Sequence, residues 1–580
     1  MNNSKKYWLE KSKIINWKKS PQISYTYTNN KKFRFYEDGT LNLSYNCVDN
    51  NINKGLGYKN AVVIYDKNFK KEELNYIELL NAINKFYNYI KKKIKNSKDI
   101  VVHAPASKLT VLSMLTFPRY GVPFSVIFEE LEIEAIIARV KLIKPQLFIT
   151  SKNLSFKKKL VEKMNKERIN VKIICLSKAK LNKILNKEVK SANKLKYFKS
   201  NKKLFTLFTS GSTGAPKGII HSTGPYLVYA KLTCIKKFGL SSDSVILTAS
   251  DAGWINGHTY AIYGPLSIGA TSIILEQPKM ILFQNFFEKL LKQVSVLYLP
   301  VTLIRLLKSI YNSKKKYKNL MSIGSMGEPL AQDISSWYVK TFCDRNIPVV
   351  NTYFQTETGG IISSHGFDDN LRHHSHGSVG TTISKFIKFN KTANYKKKFE
   401  IQIKTPWPGM MINIINGKKY FEKYFKNKNF KLFDTASYDK KKNLFIHGRS
   451  DDVMNIRGHR IGSGEIESIL LKLKFLKEVS VVSIPDNLEG EVIIVYVSVN
   501  KNFLFNESKI KEIIVKYFGV YALPREIIVL SDLPKTRSGK IMRRILRNIY
   551  MDSSNNIGDI STLVNPLVVK EIKEKLNRLR

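Results

Sequence analysis

Residues 206–218 read TLFTSGSTGAPKG. Three glycines, Gly211, Gly214 and Gly218, are interleaved with the hydroxyl residues Thr209, Ser210, Ser212 and Thr213, and Lys217 follows Pro216 near the end of the run. Glycines admit positive φ and close backbone approach. Successive N–H groups can then point into one concavity and hold an anion. The hydroxyls add donors, and Lys217 adds a compact positive charge suited to phosphate. A Walker A loop ends in Gly-Lys-Ser/Thr; here Gly218 follows the lysine, so this is a phosphate loop of another kind. A flexible Ser/Gly linker has no reason to end in Pro-Lys-Gly after an apolar run.

Such a loop needs a frame. The apolar run 204–208 predicts a strand before it, and residues 221–230 predict a helix after it. The N-terminus of that helix would add partial positive charge beside bound phosphates. Upstream the pattern alternates: a strand at 61–65, a helix at 74–94 with Ile77, Leu80, Ile83 and Tyr87 on its buried face, a strand at 99–103, a helix at 108–120, and a strand at 125–128. Alternation of this kind predicts a parallel sheet covered on both faces. Residues 151–203 are rich in Lys, Asn and Ser; one strand, 171–176, is expected there, and the rest reads as solvated surface. Residues 1–60, with Trp8 and Trp17, read as an irregular N-terminal segment wrapped on the main body.

At 580 residues the chain exceeds what one core supports and suits a large domain plus a small one. The formal net charge is +51, but the lysines are spread evenly and interleaved with Asn, Ile, Phe and Tyr. A nucleic-acid-binding protein would cluster them on one face with exposed aromatics, so neither nucleic acid nor membrane is expected as a partner. Cys47, Cys175, Cys234 and Cys343 are scattered, which argues against a disulfide framework or zinc site and fits a reducing, cytoplasmic setting. No apolar leader opens the sequence, and no run approaches the ~18 apolar residues of a membrane span.

The loop resembles the phosphate loop of the adenylate-forming enzymes, and later segments resemble their acetyl-CoA synthetase branch. In residues 251–270, DAGWINGHTYAIYGPLSIGA, the resemblance puts Ile255 and Asn256 on the wall of a carboxylate pocket. In GSMGEP, 324–329, it puts Gly327, Glu328 and Pro329 along adenine and Met326 toward the acyl group. NTYFQTETGG, 351–360, would supply Asn351, Tyr353 and Gln355 to the nucleotide, Tyr353 stacked on adenine, Thr356 to the α-phosphate, Phe354 to the pocket floor, and Glu357 to Mg²⁺. Asp434 lies fifteen residues before Arg449, the family's spacing for its ribose-binding pair, and Arg460 matches an arginine near the ATP phosphates. Asp451 matches the hinge, Gly458 the glycine that leaves room for the CoA arm, and Lys540, in LPKTRSGKIMRRILR, the catalytic lysine.

The sequence departs from the family in several places. Asn351 replaces an aspartate, Tyr353 and Phe354 replace two tryptophans, Met326 replaces a valine, and Leu432-Phe433 replace Thr-Gly. Phe354 enlarges the pocket while Met326 refills it. The arginines that meet the nucleotide end of CoA are absent: Lys157, Lys158 and Lys159 stand in one neighbourhood, and Val515 beside Lys516 in the other. The resemblance implies an α/β fold. A large N-terminal adenylate-forming domain (61–449) would carry parallel-rich sheets layered with helices. A hinge at 450–451 would join it to a small mobile α+β C-terminal domain (452–580), and 1–60 form the N-terminal segment. The implied reaction is ATP- and Mg²⁺-dependent ligation of a short carboxylate to CoA through an acyl-adenylate. Acetate is the first candidate and propionate the second. A diverged AMP-binding homologue with impaired thioester formation remains an alternative. The oligomeric state is not readable.

Overall fold

The computed structural model describes residues 3–28, 32–94, 98–131, 133–188, 194–210, 216–367, 374–387, 389, 398–415, 421–422, 424–426, 429–449, 453–456, 459–486, 490–536, 539–551, 560 and 563–579. Two seven-stranded sheets form the large N-terminal domain. The first runs in the order Asn413–Ile415, Pro216–Ser222, Lys203–Ser210, Phe124–Ile127, Ile100–His103, Leu147–Thr150, Lys172–Cys175. The second runs Val349–Asn351, Ser322–Met326, Val296–Pro300, Val245–Thr248, Thr271–Leu275, Asn60–Tyr65, Lys71–Asn75. Central strands such as Ile100–His103 are buried at every position and pair in parallel, as strands covered on both faces must be. One apolar core carries residues of both sheets, Ile64 and Ile274 beside Val102 and Phe205.

The small domain has its own cores. Strands Leu476–Asp486, Gly490–Val499 and Glu526–Val529 form a three-stranded sheet. One apolar cluster gathers around Tyr496 and Leu546, and a second around Val495 and Ile510. A separate hairpin pairs Val453–Ile456 with His459–Gly462.

Three expectations need correction. The helix expected at 74–94 is Tyr76–Ile90. Asn75 accepts the Glu78 amide at 2.8 Å and donates its own amide to the Glu78 carboxylate at 2.9 Å; this capping box fixes the start and leaves Leu74 in a strand paired with Val62. Its most buried face is Tyr76, Leu79, Ile83, Phe86 and Ile90, while Ile77, Leu80 and Tyr87 are only half-buried. Residues 151–203 hold two helices, Leu154–Lys166 and Lys178–Leu185, each capped by a side chain, Asn153 and Ser177, besides the strand Lys172–Cys175. The N-terminal segment is not irregular: Asn3–Ser12 is a helix that buries Trp8 completely, and Asp49 is held by both terminal nitrogens of Arg119 at 2.7 and 2.9 Å.

Candidate active site

The phosphate-loop stretch is the bend of a hairpin. Strand Lys203–Ser210 turns back antiparallel into Pro216–Ser222, with Thr209 opposite Lys217 and Ser210 opposite Pro216. Gly211, Ser212, Thr213 and Gly214 lie outside the described residues. The helix expected at 221–230 begins at Gly224, after a second strand, and runs to Phe238. At about 3.3 Å per residue, that strand carries the helix N-terminus roughly 20 Å from the bend, so it does not stand beside an anion there.

The second sheet delivers the GSMGEP and NTYFQTETGG motifs at the carboxyl ends of its strands, where open α/β sheets bind ligands. Ser322–Met326 leads into Gly327 and Val349–Asn351 leads into Tyr353, with Ser325 opposite Asn351. Gly327 has φ +90, and a side chain there would meet nothing within 4 Å, so the turn faces open space. The Glu328 carboxylate is taken by Arg305 at 2.7 Å.

Motifs far apart in the chain converge next. The Tyr353 hydroxyl donates to Asp434 Oδ2 at 2.6 Å, and Gln355 Nε2 donates to the same oxygen at 2.6 Å and to the Leu432 carbonyl at 2.7 Å. In a separate four-stranded sheet, Asp434 pairs directly with Arg449, so their fifteen-residue spacing is the length of one antiparallel turn-back. Glu357 is buried, and the Tyr424 hydroxyl donates to its Oε1 at 2.6 Å. The Thr356 carbonyl accepts from His221 Nε2 at 2.7 Å. Gly359 follows with φ +70, and a Cβ there would lie 2.1 Å from the Gly409 carbonyl oxygen; only glycine fits that turn. His221 and Tyr424 form this frame, and no sequence motif marks them.

The acyl-side residues share a cluster. Met326 is buried with Tyr260, Tyr298 and Ile361, and half-buried Phe354 packs against them, its ring 5.7 Å from Tyr260. Ile255 and Asn256 open the short helix Ile255–His258 and are both buried. Lys540 is exposed, and its carbonyl accepts the Thr536 amide at 2.8 Å. Its neighbour Gly539, φ +81, sits against Thr302; a Cβ would come within 2.6 Å of that side chain. Thr302 follows Pro300, which pairs with Met326, so the lysine loop reaches the same strand ends. Lys535 anchors that loop through Asp532 at 2.6 Å and Glu478 at 2.9 Å. Arg460 lies in the hairpin opposite Asn455; Asp451 and Gly458 lie outside the described residues.

Residues 54–388 match the AMP-binding enzyme family, 465–540 the AMP-binding enzyme C-terminal domain, and 1–47 the acetyl-coenzyme A synthetase N-terminus. The acetyl-coenzyme A synthetase of Leptospira biflexa serovar Patoc is 34% identical over 98% of this chain and 93% of its own length. The chain belongs to the acetyl-coenzyme A synthetase family. The acetyl-coenzyme A synthetase of Escherichia coli (strain K12) is 32% identical over 98% of this chain and 93% of its own. Acetoacetyl-CoA synthetase from Streptomyces lividans shares the fold, with a TM-score of 0.84 at 14% identity, covering 100% of this chain and 93% of that one. The family implies ATP and CoA as substrates. No helix among the described residues is long and apolar enough to cross a membrane.

Against that family pattern, the departures make specific contacts. The Asn351 amide donates to the Ser378 and Gly377 carbonyls at 3.0 and 3.2 Å and accepts from Ser325 Oγ at 2.9 Å. A carboxylate would set an oxygen against two carbonyls, so this cage requires the amide. Phe433, where the family has glycine, keeps a left-handed backbone with φ +57, a conformation that strains a bulky residue.

Proposed function

We propose that this protein ligates a short carboxylate, acetate first among the candidates, to CoA at the expense of ATP. A carboxylate oxygen attacks the α-phosphorus of ATP. The bond to the bridging oxygen breaks, giving acyl-AMP and pyrophosphate. The CoA thiolate then attacks the acyl carbon, the carbon–oxygen bond to phosphate breaks, and AMP leaves.

The observation that carries this reading is the convergence of Tyr353 and Gln355 on one oxygen of Asp434, each at 2.6 Å. That arrangement fixes the orientation of a carboxylate, a group that accepts hydrogen bonds from ribose hydroxyls. Tyr353 then offers its ring to adenine, beside Gly327, Glu328, Pro329 and Asn351. The hydroxyl and amide donors of Thr209, Ser210, Gly211, Ser212, Thr213 and Gly214, with Lys217, hold the phosphates. Thr356 donates to the α-phosphate, and the resemblance gives Arg449 and Arg460 to the nucleotide as well.

Glu357 fits a hard cation. Its Oε1 is occupied by Tyr424, and its other oxygen has no partner among the described residues. Mg²⁺ bound there would neutralise phosphate charge. Carboxylate and phosphates repel each other, and Lys540 would offset that repulsion as charge shifts in the transition state. Rotation at Asp451 would then withdraw Lys540 and bring Gly458 to the CoA arm, a hinge motion. Lys157, Lys158 and Lys159 are at most half-buried and offer positive charge where the family's arginines are missing. The half-buried Phe354 favours propionate as a second reading.

The test is AMP release from ATP, Mg²⁺ and CoA with acetate, propionate and butyrate titrated in parallel. One acid should exceed the others about tenfold in kcat/KM, a gap of ~1.4 kcal/mol. Pyrophosphate exchange without AMP release would leave only the adenylating half. Absence of both would overturn the reading.

A further inference from the structure

Lys540 sits at the end of a tightly closed turn of the small domain. Gly539 donates its amide to the Thr536 carbonyl at 2.8 Å, the Lys540 carbonyl accepts the Thr536 amide at 2.8 Å, and Met542 donates to the Pro534 carbonyl at 2.8 Å. Lys535 bridges antiparallel to Ile541 and is itself held by Asp532 and Glu478. A backbone tied at so many points moves as one piece. Lys540 is exposed, so where its ammonium arrives depends on what this turn rests against.

The turn rests on the large domain. Gly539 has φ +81, and the nearest heavy atoms to a Cβ added there all belong to Thr302: Cγ2 at 2.6 Å, Cβ at 3.2 Å and Oγ1 at 3.3 Å. Thr302 is the second residue of the helix Val301–Ile310, which is anchored in the core by Val301, Leu303, Ile304 and Leu307. That helix is tied to both substrate sides. Pro300, just before it, pairs with Met326 on the acyl side. Arg305, one turn after Thr302 on the same helical face, holds the carboxylate of Glu328 in the adenine turn at 2.7 Å. The glycine beside the lysine therefore meets a side chain whose place is fixed relative to acid and nucleotide together.

We propose that Thr302 is a positioning residue for adenylation: it seats Gly539 and so sets where Lys540 meets the reacting carboxylate and α-phosphate. The inference rests on the ligase reading above and concerns its first half-reaction. In the second half-reaction the small domain rotates, the turn leaves Thr302, and this residue has nothing to position. The bonds made and broken are those already described.

The experiment crowds the seat in Thr302→Phe and reads each half-reaction separately. Pyrophosphate exchange with acetate should fall about 10- to 100-fold, the scale of misplacing a reacting group by roughly 1 Å. Thioester formation from supplied acetyl-AMP and CoA should stay within about threefold, since Lys540 is withdrawn in that step. In a Lys540→Ala background the same substitution should lower exchange by no more than about threefold further, because no ammonium is left to misplace. Unchanged exchange, equal loss of both halves, or a full additional loss in the Lys540→Ala background overturns the proposal; the last two are the signature of a structural role. A size swap decides the matter if Thr302→Phe does not fold. Gly539→Ala should lose exchange, and adding Thr302→Ala should restore part of it by removing the Cγ2 that the new Cβ meets; no recovery overturns the proposal. Wild-type exchange without these patterns defeats this inference alone. Exchange with no acid at all defeats the ligase reading as well.

Discussion

Replacing Tyr353 with phenylalanine removes one hydroxyl and leaves the ring. The lost contact is a 2.6 Å hydrogen bond to a buried carboxylate. Hydrogen bonds to charged groups contribute about 1.5–3 kcal/mol. Gln355 Nε2 still holds the same Asp434 oxygen at 2.6 Å, so part of the orientation survives, and roughly 1–2 kcal/mol is the expected loss. The effect falls on the ribose, away from the reacting phosphorus. KM for ATP should therefore rise about 5- to 30-fold while kcat changes less than about threefold, since ~1.4 kcal/mol is tenfold. The preference for ATP over 2′-deoxy- and 3′-deoxy-ATP should narrow by a similar factor. Pyrophosphate exchange with ATP titrated at saturating acid reads all three quantities, and a thermal melt checks that the variant is folded. A tenfold fall in kcat at unchanged KM would refute the reasoning, as would unchanged sugar discrimination with KM raised.

Lys540→Ala should lower pyrophosphate exchange about 10²- to 10³-fold, the scale of losing one electrostatic group at a reacting centre, while thioester formation from supplied acyl-AMP and CoA stays within about tenfold; equal loss of both halves would contradict the assigned role. Gly359→Ala forces a side chain onto the Gly409 carbonyl at positive φ, so it should cost about 1–3 kcal/mol, read as a lower urea midpoint. Acid should destabilise the fold through two buried histidines. Burial pushes His221 down to about 4 and His258 down to about 3. Their folded values lie below the ordinary ~6.5. The stability they contribute is thus complete above that value and is lost as pH falls toward 4, by up to about 1.4 kcal/mol per pH unit per group. Melting temperature followed from pH 7 to 4 should drop more steeply in wild type than in His258→Gln.

How much of this was legible depended on whether the relevant contacts were local. The strand before the phosphate loop and the fully buried strands are read from short apolar runs. The spacing of Asp434 and Arg449 is readable because antiparallel pairing converts sequence distance into direct opposition. The false helix start arose because the strand Pro216–Ser222 runs straight on toward the apolar helix, with only the short Thr223-Gly224-Pro225 run to mark the boundary. Tyr424 and Glu357 are sixty-seven residues apart, and nothing in either neighbourhood announces the pair. The left-handed Phe433 is equally silent, since a large apolar residue gives no sign of such a backbone.

The replaced residues sort by side of the site. On the nucleotide side, each altered residue finds partners within the protein. Asn351 spends both amide hydrogens and its oxygen on neighbours, and Tyr353 uses its hydroxyl on Asp434, a bond that orients the ribose carboxylate directly. Such closed networks hold one geometry and leave little for a different nucleotide to exploit. The acyl side is different. Met326 and Phe354 change only apolar volume, which discriminates weakly. Divergence within this family is therefore expected to be read in the acid, not in the nucleotide. Ribose discrimination should fall in Tyr353→Phe with the choice of acid intact.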